Sequence, residues 1–209
     1  MKLYELRELC GNKSLIMKIM DKKGFTLIEA MVVVVIIGIA TGIAVPNIVG
    51  WMPDYRLKRA ARDLYSGIQF TKMGAIKSFS SWAIVFDTVT GRYLICSDWG
   101  PDGVWSNTAD NTIVNTISLP DYGSGITYGH GIATTNVTAA CILNPSGVGC
   151  ATFPADDVSY NWNVLVFNFR GTGSGGYIYL QNNQNTSYSV GTRTSGAILL
   201  RKWYSTGWL

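Results

Sequence analysis

Residues 22–48 read Lys-Lys-Gly-Phe-Thr-Leu-Ile-Glu-Ala-Met-Val-Val-Val-Val-Ile-Ile-Gly-Ile-Ala-Thr-Gly-Ile-Ala-Val-Pro-Asn-Ile. Two lysines and a glycine stand before an apolar run. Phe25 to Val45 spans 21 residues, about 30 Å of helix, which matches the hydrocarbon core of a bilayer. Inside the run sits one carboxylate, Glu29. An acid in lipid costs at least about 2.5–3.5 kcal/mol, so Glu29 needs a partner or a purpose.

The charge distribution bears on the same segment. The chain has 209 residues, 17 basic and 13 acidic, and a formal net charge of +4. Lys2, Arg7, Lys13, Lys18, Lys22 and Lys23 stand against Glu5, Glu8 and Asp21 in residues 1–24, which leaves 11 basic and 10 acidic side chains for the rest. The basic balance therefore belongs to the N-terminal segment and does not indicate a polyanionic partner. Lysines and arginines flank the apolar run on both sides, with Arg56, Lys58, Arg59 and Arg62 beyond it. Counting positive charge does not orient it.

Gly24-Phe-Thr-Leu-Ile-Glu29, placed between the lysines and the apolar run, resembles the processing motif of the type IV pilin and type II secretion pseudopilin superfamily. The C-terminal half extends the resemblance. Phe167-Asn-Phe-Arg-Gly171, Gly176-Tyr-Ile-Tyr-Leu180, Tyr188-Ser-Val-Gly191 and Ser195-Gly-Ala-Ile-Leu-Leu200 look like the closing strands of the GspH/FimT group of minor pseudopilins. The resemblance implies that residues 1–24 are a leader, cut by a prepilin peptidase between Gly24 and Phe25, with Phe25 then N-methylated. A secretory signal peptide is instead cut after its apolar core. The resemblance further implies a single-pass protein of the bacterial inner membrane with its C-terminal domain in the periplasm. That subunit would join other pilins or pseudopilins through an inner-membrane assembly platform. Membrane lipid surrounds the helix before assembly. Glu29 would pair with the Phe amine of a neighbouring subunit, since two buried opposite charges offset much of each other's desolvation. The function implied is a minor subunit of a type II secretion pseudopilus or a type IV pilus, at or near the tip, supporting protein secretion.

A second reading comes from the FimT side of that group: a DNA-binding minor pilin used in DNA uptake. The Gly-Arg-x-Arg pattern associated with it is missing, because Ala197 and Ile198 follow Gly196. Arg193, Arg201 and Lys202, beside Trp203, Tyr204 and Trp208, offer a weaker set of cations and stacking rings. Nucleic acid is not the expected partner of a nearly neutral mature chain.

Beyond the apolar run, Pro46 should kink the helix and Pro53 should do the same. Helical periodicity resumes over 49–80, with Leu57, Ala60, Ala61, Leu64, Ile68, Ala75 and Ile76 on one face and Asp54 as a possible N-cap. From 81 to 209 the pattern is β-rich, with strands expected at 81–86, 92–97, 112–119, 126–128, 164–169, 177–180, 186–192 and 197–203. The expected fold class is α+β: a long N-terminal transmembrane and amphipathic helix packed on an antiparallel β-sheet domain. Residues 129–160 read as an irregular insertion.

Four cysteines are present. Cys10 falls in the leader and Cys96 on an apolar strand, as a buried thiol. Cys141 and Cys150 lie in a Gly/Pro-bearing loop at a spacing that a disulfide can close in an oxidising compartment, the alternative being two reduced thiols. No Cys-x-x-Cys pair accompanies the single histidine, His130, so no zinc site is expected. The loop 98–110 carries three aspartates, which with Asn107 and Asn111 could supply oxygen ligands to calcium; without EF-hand spacing it reads as Asx-type turns, calcium being the alternative. Gly171–Gly176 lacks the Lys-Ser/Thr ending of a phosphate loop. No cofactor and no enzymatic activity are expected.

Overall fold

A computed structural model describes residues 24–137, 153–204 and 207–209, without the side chains at 46 and 47. One helix, α1, runs Leu27–Ser78. The strands are β1 Trp82–Asp87, β2 Arg92–Asp98, β3 Thr112–Ser118, β4 Thr127–Tyr128, β5 Val164–Phe167, β6 Gly176–Gln181, β7 Ser187–Thr192, β8 Ile198–Tyr204 and β9 Gly207–Trp208. The chain divides into two units, one ending at Asn47 and one comprising Ile48–Leu209.

The first unit holds the apolar helical residues. Leu27–Val45 has a mean hydropathy of 2.5 and none of it is buried. By length and composition this segment can cross a membrane.

In the second unit, the expected apolar face of α1 makes the core. Leu57, Ala60, Ala61, Leu64, Ile68 and Ala75 are fully buried, whereas Ile76 stays 36% exposed at the margin of the stripe. They pack with Ile84, Phe86, Tyr93, Ile95, Leu165 and Phe167 and with Ile178, Leu180 and Val190. Those two sets come from different sheets. The expected antiparallel β domain is built from two sheets: β3-β2-β1-β5 form one and β4-β6-β7-β8-β9 the other. Sequence periodicity tells which residues face inward but not which strand pairs with which, and here β5 returns to β1 instead of joining β6.

Alternation along β1 buries both faces of the first sheet. Ile84 and Phe86 face α1, while Ala83 and Val85 join Cys96 and Val164 under Trp105. Arg92–Asp98 pairs with the edge strand β3, and the register shifts on either side of Cys96. The β1–β2 hairpin closes through Asp87, whose carboxylate accepts from Thr90 N–H at 3.1 Å, from the Thr90 hydroxyl and from Arg92 Nη2 at 3.4 Å.

The helix does not restart after Pro53, and Asp54 is not an N-cap. It lies inside α1 and accepts from Asn182 Nδ2 at 2.7 Å. Near it Gln184 Nε2 donates to the Gly50 carbonyl at 2.9 Å, within one turn of Pro53, where proline disturbs the backbone ladder. Lys72 Nζ donates to the Gly196 carbonyl at 2.9 Å. These bonds tie α1 to the loops of the second sheet. Gly196 has φ +79°, and a Cβ there would meet the Gly171 carbonyl oxygen at 1.9 Å, so only glycine lets these two loops meet.

The expected insertion 129–160 is irregular where described, yet its flanks are core. Val137, Val158 and Tyr160 are buried, Val158 bridges to Ile178, and Val137 N–H donates to the Tyr179 hydroxyl at 3.0 Å.

Candidate functional site

The first turn of α1 is built by Thr26. Its Oγ1 accepts from the Glu29 N–H at 3.2 Å and its carbonyl accepts from the Ala30 N–H at 3.2 Å. Thr26 is thus the N-cap and Glu29 the third helical residue, the spacing of a capping box. A carboxylate in the first turn also meets the positive end of the helix dipole. The Thr-x-x-Glu spacing ahead of an apolar run is a start signal, and it points to Thr26 as well as Glu29.

Glu29 is exposed, as are Gly24 and Phe25. Water is a poor solvent for this segment. Phe25, Leu27, Ile28, Met31 and Val32–Ile37 all show large apolar surface, far more than a soluble monomer leaves open. Gly38 and Gly42 add bare backbone, since a Cβ at either would meet nothing within 4 Å. Their four-residue spacing suits close helix–helix approach in lipid.

The family model described as the prokaryotic N-terminal methylation motif matches residues 19–45. That match takes in Thr26, Glu29 and the apolar run. No curated protein matches the chain. Two solved structures are similar to it at low identity. The minor pseudopilin EpsH of the type 2 secretion system of Vibrio cholerae aligns at 12% identity and TM-score 0.44, over 69% of this chain and 95% of that one. The type IV minor pilin FimU of Pseudomonas aeruginosa aligns at 13% identity and TM-score 0.46, over 75% and 94%.

Around this helix start, the other residues singled out in the sequence fall apart or fall outside. Cys10, Cys141 and Cys150 lie outside the described residues, and so does residue 23 and everything before it. α1 is assigned without a break through position 46. Arg201 and Lys202 are consecutive on β8, opposite Ser189 and Tyr188, and consecutive strand residues point to opposite faces. Lys202 Nζ lies 5.8 Å from the Tyr188 ring and 5.5 Å from the Tyr204 ring. Arg193 is in the β7–β8 turn, where its carbonyl accepts from Gly196 N–H at 2.8 Å. The three cations do not converge on one patch.

Two of the three aspartates of loop 98–110, Asp98 and Asp102, are used locally. Asp98 Oδ1 accepts from Gly100 N–H and Asp102 Oδ1 from Val104 N–H, each at 2.8 Å, and Asp102 Oδ2 accepts from Asn107 Nδ2 at 2.7 Å. These are Asx turns. His130, which has no motif in the sequence, pairs through Nδ1 with Asp157 Oδ1 at 2.5 Å and stacks on Phe153 at 3.8 Å. Among the described residues the pair joins two loops of the second unit.

A hollow of about 480 Å³ lies between α1 and the β2–β3 edge, lined by Phe70, Tyr93, Ile95, Ile117 and Tyr122 with Asp63. Burial pushes the Tyr122 phenol up to about 12, helped by Asp63, and drives Tyr93 higher still. Both are neutral hydrogen-bonding groups at neutral pH.

Proposed function

We propose that this chain is a minor pilin or pseudopilin subunit, processed between Gly24 and Phe25 and assembled into a filament through α1. The observation that carries the reading is a helix capped by Thr26 at the methylation motif, with Glu29 exposed in its first turn and an unburied apolar run behind it. Cleavage after Gly24 would place the new Phe25 amine within one turn of a carboxylate-bearing helix start. In a filament, the amine of one subunit and Glu29 of its neighbour relieve each other's desolvation only at the correct register. The apolar run waits in the inner membrane and then packs against other such helices, with the β domain outward, at or near the tip. A secretion pseudopilus and a retractable pilus both fit this design.

Intact-mass measurement of the protein from its native cell tests the reading. The expected product begins at Phe25 and carries one added methyl group. A chain retaining residues 1–24, or one cut beyond Val45, would overturn it.

A further inference from the structure

Past the far end of α1, the start of β1 and the loop after β2 enclose a small hollow of about 170 Å³, lined by Ser80, Ser81, Ser97, Asp98, Trp99 and Trp105. The two indoles stand 5.9 Å apart, tilted by 49°. They are placed differently in the fold. Trp105 packs on the small core of Ala83, Val85, Cys96 and Val164, and its carbonyl accepts from Asn111 Nδ2 at 2.7 Å. Trp99 is 49% exposed, so one side of the indole pair is open to whatever enters the hollow. The surroundings give the hollow a sign. Residues 93–169 hold Asp98, Asp102, Asp110, Asp121, Asp156 and Asp157 and no lysine or arginine. Asp98 has no ion-pair partner among the described residues. At the end of the same loop, Asp110 Oδ1 and Asn111 Oδ1 are buried without a donor among the described residues. Nor do three carboxylate, imidazole or thiol groups gather there to hold a metal ion. The negative field is spread out, beside ring faces that are themselves electron-rich.

We infer that this hollow receives the guanidinium of an arginine carried on another protein chain. A cation over an indole face is attracted by the ring quadrupole, and tryptophan is the best of the aromatic partners. Guanidinium is planar, weakly hydrated and able to stack, whereas an ammonium is a compact and strongly hydrated charge. Asp98 supplies the counter-charge within the lining. Sites for whole small molecules hold about 300–1,000 Å³. This hollow is smaller and has room for one long side chain, so the rest of the partner lies outside it. Tryptophan and arginine are also the residues that most often dominate the energy of protein contacts. The inference uses the second unit alone and is independent of how the N-terminal segment is processed.

The test uses the full chain in detergent micelles with isotope-labelled tryptophan, followed by NMR at fixed ionic strength. N-acetyl-arginine amide is the probe, and Trp99→Phe and Trp105→Phe assign the two indole signals. Both signals should shift on titration, while those of Trp203 and Trp208, paired across β8 and β9, should stay in place. The corresponding citrulline amide, similar in shape but uncharged, should need roughly tenfold more, the scale of one cation–π contact with a surface charge pair. Asp98→Asn keeps an acceptor for the Gly100 N–H and removes only the charge. It should weaken arginine binding about threefold, with unchanged Trp203 and Trp208 signals reporting an intact fold. No shift at either indole, or equal midpoints for the arginine and citrulline amides, would overturn the proposal. Tighter binding of N-acetylglucosamine would overturn it in favour of a sugar site. Tighter binding of free arginine than of the blocked form would overturn it in favour of an amino-acid ligand.

Discussion

Glu29 and Thr26 show how much a single turn can carry. The hydroxyl of Thr26 holds the Glu29 N–H, so the turn that bears the acid is shaped before any partner arrives. Replacing Glu29 with valine should leave insertion into the membrane intact, because it removes a polar group from an apolar run. It should still lower incorporation into filaments by a hundredfold or more, since a neighbour's buried amine left unpaired costs about 3–5 kcal/mol. Immunoblots of sheared filaments against membrane fractions measure this, and normal loading of Glu29→Val would argue against pairing. The acid was legible in the sequence as an anomaly in a greasy segment. The role of Thr26 was equally legible as Thr-x-x-Glu, but a cap is a short-range hydrogen bond and draws less notice than a lone charge. His130 was not legible at all, because its partner Asp157 is brought to it only by the folded loops.

At the scale of elements, α1 and its supports were mostly readable. The 3.6-residue period gave the buried face from Leu57 to Ala75, and turn residues gave the eight strand positions to within a residue or two. Periodicity did not show that the helix passes Pro53 unbroken, since proline removes only one rung of the ladder and the buried face from Leu57 onward holds the rest against the sheets. Nor did it give the two-sheet pairing, which is a matter of which surfaces α1 can cover at once. Gly74 illustrates the point. In an isolated helix Gly→Ala stabilises by about 1 kcal/mol. Here a Cβ at position 74 would meet the Trp82 ring at 2.5 Å, and that ring is held by a 2.8 Å bond from Trp82 Nε1 to Ser78 Oγ and by an edge contact to Phe70. Gly74→Ala should therefore destabilise the β domain by about 1–3 kcal/mol, read as a lower Tm. A raised Tm would show that Trp82 moves aside freely. Tyr160→Phe should cost about 1 kcal/mol in the same assay, because the Tyr160 hydroxyl bonds Thr192 Oγ1 at 2.8 Å inside the core.

Across the whole molecule, the buried thiol and phenols give the fold a direction in pH. Burial pushes the Cys96 thiol up to about 11, against a weaker pull from an Asn111 hydrogen bond. Burial likewise raises Tyr122 and Tyr179 to about 12 and carries Tyr128 and Tyr160 beyond. Each folded value lies above the unfolded one, so this stability is whole below the unfolded pKa and is lost as pH rises toward the folded pKa. Under reducing conditions Tm should fall from about pH 8.5 for the thiol and from about pH 10 for the phenols. For Cys96 the loss by pH 11 is on the order of 2–3 kcal/mol. Cys96→Ala should flatten the early part of that decline, and an unchanged slope would remove Cys96 as its source. The displaced register on either side of this same residue has another consequence. β3 is an outermost strand, and Ile113 and Val114 on it are each more than 40% exposed, an invitation for foreign chains to extend the ladder. The irregular pairing next to it strengthens the local twist and turns that rim away from the flat geometry stacking needs. Copies of the chain crowded together thereby meet at a β edge that does not readily extend another's ladder.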